Sequence, residues 1–231
     1  MIGVIGGAGV AATNKFCELL ENDLTKKERA FRDFHHPEMV IYQATKSPSR
    51  SMFLEGKGDS FIPSYIEVAK KLENIGAKYI CMTCNTAHFA IDEIEKHINI
   101  PFLNMVKETA KEVNGFKNIG LIASNGALIG KVYEKYIEKN INIIYPNTKM
   151  QKLVTQGIIN IKNSHRFDPL DSPMRPKNIF KKVSEYLYQK GADVILVGCT
   201  DIRVDFSQVD YSKLKLIDSL EILVKMVKKV K

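Results

Sequence analysis

Short, continuous apolar runs alternate with amphipathic stretches along most of the chain. Ile2 to Ile5 reads as a buried strand, Gly6 to Gly9 as a tight turn, and Thr13 to Glu21 as a helix turning Phe16, Leu19 and Leu20 inward. Met39 to Tyr42 fits a second strand. Ser64 to Ile75 and Ile179 to Lys190 carry apolar residues at helical spacing, Val68 and Leu72 in one, Val183 and Leu187 in the other. Each is followed by a Gly-Ala pair and a further apolar run, Tyr79 to Met82 and Val194 to Val197. Strands apolar throughout and alternating with helices predict a mainly parallel sheet covered on both faces. In such sheets ligands collect at the carboxyl ends of the strands, where Gly6, Cys84, Ser124 and Cys199 fall.

The pattern occurs twice. Gly76-Ala77 precedes Cys84 by the same eight residues that separate Gly191-Ala192 from Cys199, and Gly3-Val4-Ile5-Gly6-Gly7 is echoed by Gly120-Leu121-Ile122-Ala123-Ser124. Repetition of this kind predicts two copies of one α/β unit facing each other about a pseudo-twofold axis. The expected fold is α/β, with two similar Rossmann-like domains and the active site in the cleft between them. The expected division is residues 1–106 plus 214–231 for the first and 107–213 for the second, with a hinge near Asn104 to Lys107. Leu216 to Val230, with Ile217, Leu220, Leu223, Val224 and Val227 on one face, reads as a helix and is expected to return to pack on the first unit. Gln43 to Pro63 and Asn147 to Asn178 are polar and proline-containing, and read as long loops over the site.

Composition narrows the function. The formal charge of +8 comes from lysines spread along the helices and bunched only at Lys225, Lys228, Lys229 and Lys231. Without tryptophan or an aromatic-interleaved basic stripe, a nucleic-acid partner is not expected. No apolar run approaches the roughly 18 residues of a membrane span. Four cysteines are too few for a disulfide scaffold in a chain of 231 residues, and the N-terminus does not resemble a signal peptide, so a reducing cytoplasm is the expected location.

Cys84 and Cys199 each sit at a strand-to-helix turn followed by small hydroxyl residues suited to capping. Unpaired backbone N–H groups there favour anions, making both cysteines candidate low-pKa thiols. Cys81 and Cys84 also form a C-x-x-C spacing, open to a reversible disulfide or to half a zinc site, although His88 is the one further ligand nearby. Cys81, inside an apolar run, and Cys17, on the first helix, read as core.

Cys84-Asn85-Thr86-Ala87-His88 and Gly198-Cys199-Thr200-Asp201 resemble the two signature motifs of the aspartate/glutamate racemase family, and Gly6-Gly7-Ala8-Gly9 with Ala12-Thr13 is similar to its N-terminal glycine motif. The resemblance covers essentially the whole chain. It implies racemisation of an acidic amino acid, aspartate ahead of glutamate, without pyridoxal phosphate, another cofactor or a metal. Cys84 and Cys199 would be the two catalytic groups, one removing the α-proton as thiolate and the other returning a proton to the opposite face as thiol. Asn85, Thr86, Thr200 and the Gly7 turn would meet the amino acid. Ser47-Pro48-Ser49-Arg50, followed by Gly56, resembles the family's arginine loop, and Gly157 to Asn163 resembles the segment presenting its lysine, here Lys162. Arg50 and Lys162 would receive a second carboxylate, with Thr45 a neighbour.

His88, one turn after Cys84, reads equally as a group that tunes the cysteine or as a hydrogen-bonded structural histidine, and Asp201, a candidate to assist Cys199, stands where the family has Glu or His. Ala8 and Val10 replace residues commonly Met and Pro. The resemblance also implies a homodimer. Maleate isomerisation and hydantoin racemisation are neighbouring chemistries in the superfamily, and a redox or ligand-binding protein using Cys81 and Cys84 is the alternative of a different class.

Overall fold

The computed structural model describes residues 1–27 and 29–231. In the first half, β1 (Ile2–Gly6), β2 (Met39–Gln43) and β3 (Tyr79–Met82) form a parallel sheet in the order β2-β1-β3, with Ile2 in register with both Met39 and Tyr79. One face is covered by α1 (Val10–Lys27), which buries Phe16, Leu20 and Leu24. The other is covered by α3 (Ile62–Asn74), which buries Tyr65, Val68 and Leu72 and carries Pro63 in its first turn, where no N–H is needed. After β3 the chain runs through α4 (Ile91–Glu95) and a parallel bridge from Phe102 to Ile80.

The second half repeats the arrangement. The strands β4 (Asn118–Ala123), β5 (Asn142–Ile144), β6 (Val194–Gly198) and β7 (Lys215–Asp218) form a parallel sheet in the order β5-β4-β6-β7. Ala123 is in register with Gly198, and Val197 with Asp218. On one face lies α5 (Met105–Val113), with Val106, Ala110 and Val113 buried. On the other lie α7 (Thr148–Ile161) and α8 (Pro176–Gln189), with Val154, Phe180, Val183 and Leu187 in the core. Among the described residues, no helix is long and apolar enough to cross a membrane.

The elements differ from the sequence reading in four places. First, α1 begins at Val10 and ends at Lys27, longer at both ends than Thr13 to Glu21. Second, the polar segment after β2 contains α2 (Arg50–Leu54), capped by Ser49, whose Oγ accepts from the Met52 N–H. Third, the supposed loop from Asn147 to Asn178 opens with α7, capped by the Asn147 side chain accepting from the Met150 N–H. Fourth, Leu216 to Asp218, read as the start of the last helix and placed with the first unit, lies in β7, which pairs with β6 in the second sheet because Leu216 and Ile217 complete that sheet's apolar run. The helix that follows, α9 (Ser219–Lys229), does reach the first unit: Leu220, Leu223 and Val227 pack with Ile2, Val4 and Phe16.

Candidate active site

Both sheets present the carboxyl ends of their strands to a common cavity of ≈ 380 Å³. Cys84 follows β3 and Cys199 follows β6; each thiol is less than a tenth exposed and both line this cavity. Asn85, Thr86 and Arg50 join them from the first half, and Thr200, Asp201 and Lys162 from the second. Gly7 and Thr45 lie outside it, on an adjoining cleft of ≈ 1020 Å³ that shares Ala8, Arg50 and Lys162 with the cavity. Cys81 is turned away into the core beside Ile2, Val4 and Phe16, with Cys17 against it, and burial pushes its thiol up to about 12. The four cysteines are free thiols, and the C-x-x-C spacing separates a core residue from a cavity residue instead of pairing them.

The side chains after each cysteine do not cap helices as expected. Cys84 leads into a 3-10 turn (Thr86–Ala90) and Cys199 into another (Ile202–Val204), neither with a side-chain cap. Their polar groups cross to the opposite half. Thr200 Oγ1 donates to the Thr83 carbonyl at 2.9 Å, Thr86 Oγ1 shares a 2.8 Å hydrogen bond with Ser124 Oγ, and Asn85 Nδ2 donates to Ser219 Oγ at 3.0 Å. A donor inventory then says what remains for a ligand. Asn85 keeps one N–H, the Thr86 and Ser124 pair keeps one O–H between them, and the Thr200 hydroxyl has spent its hydrogen on a backbone carbonyl. Thr200 meets an anion through something other than its hydroxyl.

Two cations and one acid set the electrostatics. Arg50, in the first turn of α2, donates to the carbonyls of Pro48 (2.9 Å) and Ala8 (3.3 Å), which fixes the guanidinium over the glycine turn; its Nε is buried without a partner. Burial works against its charge, but Cys84, Tyr65 and Asp201 outweigh this and hold it above the ordinary arginine value. Lys162, at the C-terminus of α7, has a side chain 47% exposed to the cleft and pairs with Asp201 at 3.0 Å. Burial opposes its charge too, and Asp201, Cys199 and Cys84 together raise its affinity for the proton. Asp201 is 4% exposed; burial raises its pKa while Lys162 and Arg50 pull the other way, and its Oδ1 has no partner.

The expectation of a low-pKa thiol fails at Cys199. Burial raises it well beyond the usual cysteine value, the charges of Asp201 and Cys84 add to this, and Lys162 with a backbone hydrogen bond at Asp201 only partly offsets them.

His88 lies behind the cavity. Its Nδ1 is 2.8 Å from the Cys84 carbonyl, so Nδ1 carries the hydrogen and Nε2, buried without a partner, is the lone pair. Burial lowers its pKa to about 4, so it is a neutral prop for the Cys84 backbone.

The glycine turn is shaped by both halves. Gly7 has φ +82°, and a Cβ there would lie 2.7 Å from the Ala44 N; its N–H donates to Thr13 Oγ1 at 3.1 Å. A Cβ on Gly9 would come within 2.1 Å of Asp201 Oδ1, so the first half leaves room for the acid of the second.

Thr155, Ile158 and Ile159 of α7 also line the cavity, as do Asn125 and Met52. Met52 and the α7 residues escaped the sequence reading because their segments were taken for loops, and Asn125 because the reading stopped at Ser124. The spacing of Leu153, Val154, Gly157 and Ile161 was the available signal for α7.

Paired thiols projecting from the strand ends of two facing parallel sheets, with no cluster of three or more His, Cys, Asp or Glu among the described residues able to hold a metal, define a cysteine-lined α/β site. The chain belongs to the Asp/Glu/Hydantoin racemase family, whose model matches residues 5–227, and is an isomerase of that family. It is 26% identical over 226 residues to the broad specificity amino-acid racemase RacX of Bacillus subtilis, covering 97% of this chain and 95% of that one. It superposes on the aspartate racemase of Picrophilus torridus with a TM-score of 0.81 at 30% identity, covering 99% and 93% of the two chains. The fold is also that of the Francisella tularensis glutamate racemase solved with D-glutamate (TM-score 0.62, 19% identity, 99% and 80% covered).

Proposed function

We propose that the protein racemises an acidic amino acid, aspartate ahead of glutamate, by a two-thiol mechanism that needs no cofactor. The observation that carries this reading is that Cys84 and Cys199 reach one cavity from opposite sheets, which supplies an acid/base group to each face of an α-carbon. Burial and Asp201 favour the neutral thiol at Cys199, which assigns Cys199 the proton-donor role in this direction and the opposite role to Cys84, beside the Arg50 guanidinium. The Cys84 thiolate takes the α-proton, forming S–H, and the Cα–H electron pair moves into the carboxylate to give an enediolate. That pair returns to Cα as Cys199 delivers its proton to the opposite face, leaving Cys199 as thiolate and the amino acid inverted. The two thiols must be in opposite protonation states at the start of each turnover, and the reverse reaction starts from the swapped state.

The remaining N–H of Asn85 and the remaining O–H of the Thr86 and Ser124 pair are the donors that stabilise the enediolate. Arg50 and Lys162 meet the second carboxylate. The Gly7 turn and Thr45 border the path in from the wider cleft. His88 and Asp201 act on the cysteines from behind and beside them.

A broader substrate range is favoured by one observation: Met52, Ile158 and Ile159 give the cavity an apolar wall that an aspartate side chain does not use. RacX carries the broad-specificity name, which fits the same reading. Incubation with L-aspartate, L-glutamate and apolar L-amino acids in deuterated water, following chirality and α-deuterium together, tests both. D-aspartate carrying α-deuterium is expected; maleate and hydantoins complete the panel. Cys84→Ala and Cys199→Ala should each lower turnover at least about a thousandfold. Full activity in either variant would sink the two-thiol mechanism. A homodimer in the cytoplasm completes the proposal, and sedimentation of the purified chain checks the dimer.

A further inference from the structure

Tyr133, in the segment after α6 (Asn125–Ile129), is 1% exposed and donates its hydroxyl to Asn85 Oδ1. On the other side of the same amide, Asn85 Nδ2 reaches Ser219 Oγ, the first residue of α9, and Ser219 Oγ donates to the Val197 carbonyl at 3.1 Å. We propose that Tyr133 and Ser219 are positioning residues that lock the Asn85 amide so that its second N–H, and not its carbonyl, faces the cavity. The proposal deepens the racemase reading and rests on it for its catalytic consequence.

The direction of this chain of hydrogen bonds follows from its end. A backbone carbonyl only accepts, so Ser219 must spend its single hydrogen on Val197 and can only accept from Asn85. That places Nδ2 toward Ser219 and Oδ1 toward Tyr133. The phenol stays protonated to serve as donor: burial raises it well beyond the usual tyrosine value, the nearby Ser219 hydroxyl only partly offsets this, and the charges of Asp218 and Cys199 add to it. With one hydrogen held by Ser219, Asn85 offers the other to a ligand and turns its carbonyl to Tyr133. A flipped amide would turn a carbonyl toward the substrate carboxylate, repelling the charge that the enediolate must build.

The place for the Tyr133 ring is made by the second cysteine motif. A Cβ on Gly198 would lie 2.7 Å from Tyr133 Cε2, so the glycine before Cys199 admits the ring that orients the asparagine after Cys84. One half-site thereby sets the geometry of the other.

The test is a mutant cycle in the full chain with thermal stability measured alongside. Tyr133→Phe keeps the ring in the Gly198 niche and removes only the hydroxyl. It should lower kcat/KM for the acidic substrate about 10- to 100-fold, mostly in kcat, while in an Asn85→Ala background it should change activity by less than about 2-fold. Equal losses in both backgrounds would overturn the proposal, since Tyr133 would then act through the fold and not through Asn85. A second readout needs no turnover: in a protein labelled at asparagine side-chain nitrogen, the Asn85 amide protons should show nuclear Overhauser contacts to the Ser219 β-protons. Contacts to the Tyr133 ring without contacts to Ser219 would mean the opposite orientation and refute it. A wild type inert toward every amino acid tried would count against the racemase reading, and the amide contacts would still decide the orientation.

Discussion

At the scale of single residues, the motif positions were legible because chemistry there demands particular side chains at particular spacings. Cys84, Cys199 and their neighbours could be named from the repeat before any fold was known, whereas their hydrogen-bond partners could not. Ser124 was visible as a strand end but not as the partner of Thr86, and Tyr133 and Ser219 come from distant parts of the chain and carry no local pattern. His88 shows the same division: its place four residues after Cys84 was visible, but its burial decides what it does.

With a native pKa of about 4 against about 6.5 when unfolded, His88 is neutral in the fold while the unfolded chain takes up a proton between those values. The unfolded state then binds more protons, so stability falls as pH drops from about 6.5 to about 4, by about 3 kcal/mol in total, and this contribution is flat above that window. His88→Asn keeps a donor for the Cys84 carbonyl and should remove this part of the slope in urea unfolding at pH 4.5 and 7.0; an unchanged slope would contradict it. Gly9→Ala tests a different contact. The new methyl must push Asp201 aside, and kcat/KM should fall about 100-fold with little change in melting temperature, as expected when a group beside the reacting centre is displaced by about an ångström.

At the scale of elements, β1 and β2 were read to within a residue, because each is a short unbroken apolar run, whereas β5 went unread and most of β7 was taken for the start of the last helix. Two helices were lost where composition masked periodicity. Asn147, Thr148, Gln151 and Gln156 made α7 look like a polar loop, although Asn147 is its cap and Gln151 turns inward to donate to the Ala123 carbonyl and Asn125 Oδ1. Its glycine is also part of the design: a Cβ on Gly157 would stand 2.7 Å from Phe180 Cζ, so Gly157 is where α7 and α8 come closest. In an isolated helix Gly157→Ala would stabilise by up to about 1 kcal/mol, but here the core ring of Phe180 must move. Overpacking should win, with a net loss of about 1–2 kcal/mol in urea denaturation. Because Lys162 ends the same helix, KM for the acidic substrate should rise as α7 is pushed outward. A more stable variant with unchanged KM would show that the two helices part freely.

At the scale of the whole molecule, the two sheets repeat one plan, yet the chain does not divide cleanly between them. The last strand belongs to the second sheet, while α9 buries Leu220, Leu223 and Val227 against Phe16 and Leu20 of the first half and is tied to α1 through Lys228 and Asp23. Thr200, Asn85 and Thr86 add hydrogen bonds from one half to the other at the cavity floor. A chain of 231 residues is long enough for two units to unfold separately, but these links make each half the lid on the other's core. One cooperative transition is therefore expected. The chain has no tryptophan, so tyrosine fluorescence can follow packing around Tyr65 in the first half and Tyr133 in the second while far-ultraviolet circular dichroism follows the helices. Alkylation of Cys84 and Cys199 follows the site itself. All three should share one urea midpoint. Leu223→Ala, which empties a fully buried position on α9, should cost about 2–5 kcal/mol and move every probe together. If only part of the dichroism shifted, and Cys199 stayed protected past that point, the second half would be standing alone and α9 would be a cover on the first unit and nothing more.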